Sequence, residues 1–218
     1  MIKKVIAVDG PAGAGKSTVS KMVAEKLGYT YIDTGAMYRA IAYKLINQGG
    51  FITREVIASV TKDIDIDLRY AKGATKVIVD GKDVSEAIRT PEVSHVVPEV
   101  AKIEYVRERL TELQRKMAAR GGVIMDGRDI GTKVLPNADV KIFLTASIDE
   151  RARRRFEELK AKGYDANLKD IKNKIALRDK QDTERKISPL EKADDAVLVD
   201  STDKTINEVV DEILSLCK

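Results

Sequence analysis

The sequence predicts an α/β fold: a five-stranded parallel sheet with helices on both faces, carrying an inserted small antiparallel β subdomain. Three observations predict it. Short unbroken apolar runs alternate with amphipathic stretches, the mark of a parallel sheet covered on both sides. The first run leads through a glycine-rich loop into a helical pattern. One stretch, residues 64–84, instead alternates polar and apolar residues between turn signals, as antiparallel hairpins do.

The elements follow in order. Val5–Val8 reads as the first strand and ends at Asp9-Gly10. A helical pattern runs from Lys16 to Leu27 and is closed by Gly28. Tyr29–Ile32 is the second strand, followed by a helix through Ala40-Ile41 and Leu45-Ile46 that stops at Gly49-Gly50. The hairpins place Ile64, Ile66 and Leu68 before a Lys72-Gly73 turn, then Val77 and Val79 before an Asp80-Gly81 turn. Lying between helical segments, they read as an insert over about residues 64–95. Val123–Met125 and Val140–Thr145 are the third and fourth strands, the latter leading into a very basic helix that ends near Lys162-Gly163. Ala196–Val199 is the fifth. The last helix sets Ile206, Val209, Val210, Ile213 and Leu214 on one face. At roughly 100–200 residues per domain, 218 residues suit one domain with an insert.

Composition excludes several functions. The 39 Lys+Arg against 35 Asp+Glu leave +4, without the excess of a non-specific nucleic-acid binder. There is one cysteine, Cys217, one histidine, His95, and no Trp. A multi-His metal site, a Cys-rich zinc module and an intrachain disulfide are all excluded. Cys217 reads as a packing residue and His95 as a structural one. The run Val5–Val8 is too short for a signal sequence, and no run reaches the ~20 apolar residues of a membrane span. The expectation is a cytoplasmic monomer with no nucleic-acid or membrane partner.

Gly10-Pro11-Ala12-Gly13-Ala14-Gly15-Lys16-Ser17-Thr18 matches G-x4-G-K-[ST] between a strand and a helix. Glycines let the backbone curl so that successive N–H groups point at phosphate oxygens, and the helix start adds its unpaired amides. Lys16 is placed to reach the β- and γ-phosphates, and Ser17 to offer its hydroxyl to Mg²⁺. The expectation is ATP or GTP binding. The fourth strand leads into Ala146-Ser147-Ile148-Asp149, which is not a guanine-reading N-K-x-D motif. Many arginines in a compact chain favour transfer of phosphate to a small acceptor.

Charged clusters suggest where that acceptor sits. Asp33–Arg39 follows the second strand, Asp126–Thr132 follows the third, and Arg107 lies on an amphipathic helix. In a parallel sheet, ligands gather outside the carboxyl ends of strands. Asp126, just after an apolar strand, would sit near the Mg²⁺. Arg178, Asp182 and Arg185 form a fourth cluster, although i, i+4, i+7 spacing equally describes a solvated helix laced with ion pairs.

In order and spacing, these residues resemble the cytidylate kinase family, the bacterial CMP/dCMP kinases of the nucleoside monophosphate kinase group. The resemblance rests on Asp9–Thr18, Asp33-Thr34-Gly35-x-x-Tyr38-Arg39, Ile88–Val93, Val106-Arg107, Asp126–Thr132, Lys141–Ser147 and Arg178-Asp179-x-x-Asp182-x-x-Arg185, and covers essentially the whole chain. It implies a P-loop NTPase-type sheet with an acceptor-binding insert and a helical lid over about residues 151–187. It implies transfer of the γ-phosphate of ATP to CMP or dCMP, with Mg²⁺. UMP, shikimate, or a non-catalytic nucleotide-dependent RNA-binding role are the alternatives.

By the same resemblance, Arg39, Arg128 and Arg185 hold the acceptor phosphate with Arg178 nearby, and Tyr38 belongs to the acceptor site. Thr34, Arg107 and Asp129 contact the cytosine, whose amino group a carboxylate can accept. Asp182 meets the sugar hydroxyls. Arg151 and Arg155 are the lid arginines expected to reach the triphosphate, ahead of Arg153 and Arg154, since one helix face cannot present all four. Lys16, Arg128, Arg178, Arg185, Arg151 and Arg155 form the expected catalytic set. One departure is Pro98, where relatives often carry a base-contacting serine. Proline offers neither hydroxyl nor N–H.

Overall fold

Strand β1 (Val5–Asp9) is followed by helix α1 (Lys16–Leu27), β2 (Thr30–Asp33) and α2 (Thr34–Gln48). The computed structural model describes residues 3–71 and 74–218. Gly28 closes α1 in the left-handed conformation at φ 66°, as its position predicts. Asp33 ends β2 and caps α2, its carboxylate accepting from Ala36 N–H at 2.9 Å.

Helix α3 (Arg54–Asp63) then leads to the insert, strands β3 (Ile66–Ala71), β4 (Ala74–Val79) and β5 (Lys82–Asp83) in one antiparallel sheet. Ile66 pairs with Val79 and Leu68 with Val77, so the predicted alternation turns one apolar face inward. Asp80 and Gly81 take φ 49° and 78°, the left-handed pair that a tight hairpin turn demands. The predicted Lys72-Gly73 turn lies outside the described residues. Beyond Val84 the insert is no longer sheet: a short turn of helix spans Ala87–Arg89, and α4 (Pro91–Ala101) begins. Thr90 caps α4 and Pro91 opens it. Pro98 sits inside α4, half-buried, and forfeits one helical hydrogen bond. His95 stands exposed on α4 and is not packed in the core.

Helix α5 (Glu104–Ala118) precedes β6 (Val123–Asp126) and β7 (Val140–Thr145), with α6 (Ile148–Ala161), α7 (Leu168–Glu184), β8 (Val197–Asp200) and α8 (Ile206–Leu216) completing the chain. The main sheet is parallel throughout, in the order β2-β6-β1-β7-β8. Ile6 and Val8 of β1 pack towards Val19, Val23, Val209 and Ile213, while Ala7 faces Ile32, Met125 and Ile130. Helices therefore cover both faces, as the unbroken apolar runs require. Cys217 is half-buried at the edge of the first of these clusters. No described helix is long and apolar enough to cross a membrane.

Two features position the site. Four of the five strands of the main sheet, β1, β2, β6 and β8, end in aspartate, so acidic groups gather at its carboxyl edge. Helices α6 and α7 form a hairpin with its own small core of Ala152, Ile171, Ile175 and Phe156.

Candidate active site

The loop from Gly10 to Gly15 is forced into shape by close packing. Gly10 has φ 148°, and a Cβ there would overlap the Leu144 carbonyl of β7. Gly15, at φ 88°, precedes α1 with no side-chain cap. The first amides of α1 are thus left free for an anion. The Lys16 ammonium folds back across the loop and donates to Gly10 O at 2.7 Å and Pro11 O at 2.8 Å. Burial pushes its pKa well down, helped by Arg128, while Asp126 and Asp9 oppose. Thr18 and Ser17 are exposed at the start of the helix.

Asp126 is the hub beside this cradle. It accepts from Ser17 Oγ at 2.7 Å and from the Tyr31 hydroxyl at 3.0 Å. Its backbone carbonyl accepts from Thr34 Oγ1 at 2.7 Å. Burial, then repulsion from Asp33 in the adjacent strand, raises its pKa to about 6. Asp9 is likewise raised to about 6 by burial, against the pull of the Ile130 and Gly131 amides it accepts from at 2.8 and 2.7 Å. Those amides open a single π turn over Ile130–Val134, closed by Leu135 N–H to Ile130 O at 2.7 Å.

A cluster of arginines adjoins the cradle. Arg107 and Asp129 pair at 2.6 Å, with side chains 5% and 7% exposed. Arg185 lies 3.6 Å from Asp129 and 3.7 Å from Asp182. Arg128 pairs with Asp182 at 2.8 Å, and Arg39 with Asp33 at 2.8 Å. The Arg107 guanidinium sits 5.4 Å from the centre of the Tyr38 ring. Arg178 is exposed and has no ion-pair partner among the described residues. Crowding by the cleft walls, then by Arg128, lowers its pKa to about 10, so it stays charged at neutral pH. Burial pushes the Asp182 carboxyl up, but Arg128, with Arg178 and Arg185, together outweighs it and holds the group below the usual carboxylate range.

The cluster carries spare positive charge and spare donors. Arg39, Arg107, Arg128, Arg178 and Arg185 outnumber Asp33, Asp129 and Asp182. Buried Nε atoms of Arg39 and Arg107 and Nη2 of Arg185 have no hydrogen-bond partner among the described residues. Such orphaned donors are costly unless a ligand takes them up. A cavity of about 400 Å³ opens between Lys102 and Gln181–Ile187, with Arg185 in its wall.

The four arginines of α6 separate clearly. Arg151 is buried and donates to Ala146 O at 2.9 Å, Ala12 O at 3.0 Å and Asp179 at 2.6 Å. Arg154 reaches Ser201 O at 2.5 Å and Oγ at 3.0 Å, on the side of Gly15. Arg153 pairs outward with Glu150 and Glu157. Arg155 pairs with Glu158 on the exposed helix surface and is not brought to the cradle. Helical periodicity alone does not separate them, since Arg154 and Arg155, three and four residues on, both lie near the Arg151 face; the partners at hand do, Ser201 for Arg154 and the exposed Glu158 for Arg155.

The predicted residues Lys16, Ser17, Asp126, Thr34, Tyr38, Arg39, Arg107, Arg128, Asp129, Asp182 and Arg185 converge at the carboxyl edge of the sheet. Arg185 does so by leaving the helix: it caps α7 in an extended conformation, so the i, i+7 spacing never becomes a solvated stripe. Asp9, Tyr31 and Asp179 also belong to the site and were not singled out from sequence. For Asp9 the signal existed, an acid at a strand's carboxyl end. Asp179 stands in the Arg178-Asp179-x-x-Asp182-x-x-Arg185 motif without a role there, and for Tyr31 only its partner Asp126 reveals it.

A family model described as cytidylate kinase matches residues 6–218. The chain is 55% identical over 216 residues to the cytidylate kinase of Bacillus subtilis (strain 168), covering 98% of this chain and 96% of that protein. It is 54% identical to the cytidylate kinase of Bacillus licheniformis, covering 98% of this chain and 96% of that one. Among solved structures, a shikimate kinase from Bacteroides thetaiotaomicron aligns with a TM-score of 0.51 at 14% identity, covering 98% of each chain. An uncharacterized protein from Eubacterium ventriosum aligns with a TM-score of 0.53 at 15% identity, over 98% of this chain and 97% of that one. At such identities the likeness is one of fold.

Proposed function

The chain belongs to the cytidylate kinase family and is an ATP-dependent phosphotransferase; from that premise we propose that it moves the γ-phosphate of ATP to CMP or dCMP, giving CDP or dCDP and ADP, across the two adjoining sites at the sheet edge. The observation that carries this reading is the arginine cluster beside the phosphate loop, with buried guanidinium donors left unpaired. Two polyanions can meet only where positive charge and fixed donors are already in place.

ATP lies with its phosphates on Gly10–Thr18 and Lys16. Entry of the phosphates draws the Lys16 ammonium from the Gly10 and Pro11 carbonyls. The acceptor phosphate takes the free donors of Arg39, Arg128 and Arg185. Arg107 and Asp129 read the cytosine, Tyr38 flanks them, and Asp182 meets the sugar. Arg128 and Arg178, close enough to Lys16 to lower its pKa, bridge the two sites and stabilise charge on the transferring group. Ser17 and Asp126 offer two hard oxygen donors 2.7 Å apart, a fit for Mg²⁺, which commonly takes one or two protein oxygens and completes its shell with phosphate and water. Held by Ser17 and Asp126, such an ion would supply positive charge against the nucleotide phosphates. The acceptor oxygen is already anionic, so no general base is needed. The α6–α7 hairpin, about residues 151–187, acts as the lid that excludes water, and the insert, about residues 64–95, belongs to the acceptor side.

The test is ADP release across CMP, dCMP, UMP, dTMP, AMP and shikimate. CMP and dCMP give the highest kcat/KM. Equal or faster turnover with any of the others overturns the acceptor assignment.

A further inference from the structure

Helix α7 sends side chains to both nucleotide sites. On the acceptor side, Asp182 holds Arg128 at 2.8 Å and lies 3.7 Å from Arg185. Three residues earlier, Asp179 reaches the phosphate loop instead. Its Oδ1 accepts from the Ala12 N–H at 3.3 Å, and its Oδ2 accepts from Arg151 Nη1 at 2.6 Å. That same Arg151 nitrogen donates to the Ala12 carbonyl at 3.0 Å. Residue Ala12 is therefore gripped through both its backbone groups, the N–H by α7 and the C=O by α6. Arg151 is only 6% exposed, and a Cβ on Gly13 would lie 3.3 Å from Arg151 Cβ. The Arg151 end of the grip is thus shielded from water and pressed against the loop, while the Asp179 side chain is 21% exposed.

The phosphate loop and α7 cannot then move independently. Any shift of the Ala12 peptide as phosphates enter pulls on Asp179. An α-helix is stiff over one turn, so Asp182 moves with it, and Arg128 and Arg185 follow. We propose that Asp179 is a positioning residue that couples the donor and acceptor sites, so that nucleotide on the phosphate loop tightens binding of the acceptor. It acts through Arg151 and Ala12 on one side and through the helix backbone on the other. The proposal rests on the two-site reading above.

The test measures coupling, which a purely structural residue would not move. The Kd of CMP is measured by calorimetry with and without saturating Mg²⁺ and β,γ-imido-ATP, for the unaltered chain, Asp179→Asn and Asp179→Ala. The unaltered enzyme shows a coupling factor of about 5 to 150. In Asp179→Ala the factor falls to within about twofold of unity, while the Kd of CMP alone changes less than about threefold. Asp179→Asn keeps an oxygen for the Ala12 N–H but loses the charge facing Arg151, and its factor lies between the two. Should the alanine variant fail to fold, the asparagine variant decides, and an undiminished factor there overturns the proposal. Coupling that survives in Asp179→Ala, or that is absent from the unaltered enzyme, also overturns it while leaving the two-site reading intact. Absence of CMP binding to the unaltered chain overturns both.

Discussion

Replacing Asp129 by alanine is the severest test of the acceptor site. Asp129 is 7% exposed and holds Arg107, itself 5% exposed, at 2.6 Å. It also faces Arg185 at 3.6 Å. Removing it strands two guanidiniums in a dry site. Breaking a buried pair by deleting one partner costs about 3–5 kcal/mol, and service to two cations puts Asp129 in the upper half of that range. For a domain of this size each kcal/mol moves Tm by about 2–4 °C, so ligand-free Asp129→Ala should melt about 8–20 °C lower. The assay is calorimetric unfolding at neutral pH, paired with steady-state kinetics. If the carboxylate also reads the base, KM for CMP rises about tenfold or more while KM for ATP stays within about threefold. The double change Arg107→Met with Asp129→Leu should be less destabilised than Asp129→Ala, because it removes the Arg107 charge and leaves only Arg185, which keeps Asp182 at 3.7 Å. A fall in Tm under about 2 °C would mean that water reaches the pair, and would refute the reasoning.

Three further outcomes follow from the same geometry. Lys16→Ala lowers kcat by about a hundredfold or more with the fold retained, since Lys16 anchors only loop carbonyls in the ligand-free state; full activity in a turnover assay removes it from the mechanism. Arg155→Ala leaves kcat within about twofold, because Arg155 pairs only with exposed Glu158, whereas Arg154→Ala raises KM for ATP; a tenfold loss in Arg155→Ala would put that side chain on the triphosphate. For Asp9 the pKa is raised from 3.8 to about 6. Between those values the folded chain keeps a proton that the unfolded chain releases, so this group costs stability as pH rises and adds nothing further above about pH 7. The stability of the unaltered chain minus that of Asp9→Asn should fall by about 2 kcal/mol from pH 4 to pH 7 in urea unfolding, and a flat difference would show that Asp9 ionises freely.

Much of the site was legible because its parts are local. A glycine-rich stretch between an apolar strand and a helix can only curl, whatever the rest of the chain does. The acids that end strands mark the edge where ligands bind. Other features were legible only in part. Helices α3 and α4 carry caps at Thr53 and Thr90, but the strand alternation between them is the stronger periodic signal in that region. The π turn after Asp129 has no sequence signature here; the Asp9 carboxylate, from a strand more than a hundred residues away, pins its amides.

By itself, then, the sequence determined the strands, the phosphate loop and the family of chemistry, since hydrophobic periodicity and glycine placement act over a few residues. Only the tertiary structure decided which charges meet. Arg154 and Arg155 are neighbours of identical chemistry, but one turns to Ser201 beside the loop and the other to solvent. Asp179 sits in a charged run like any other acid until α7 packs it on the Ala12 peptide. Local sequence sets backbone conformation, whereas an ion pair forms where packing brings two distant segments within a few ångströms and removes the water between them.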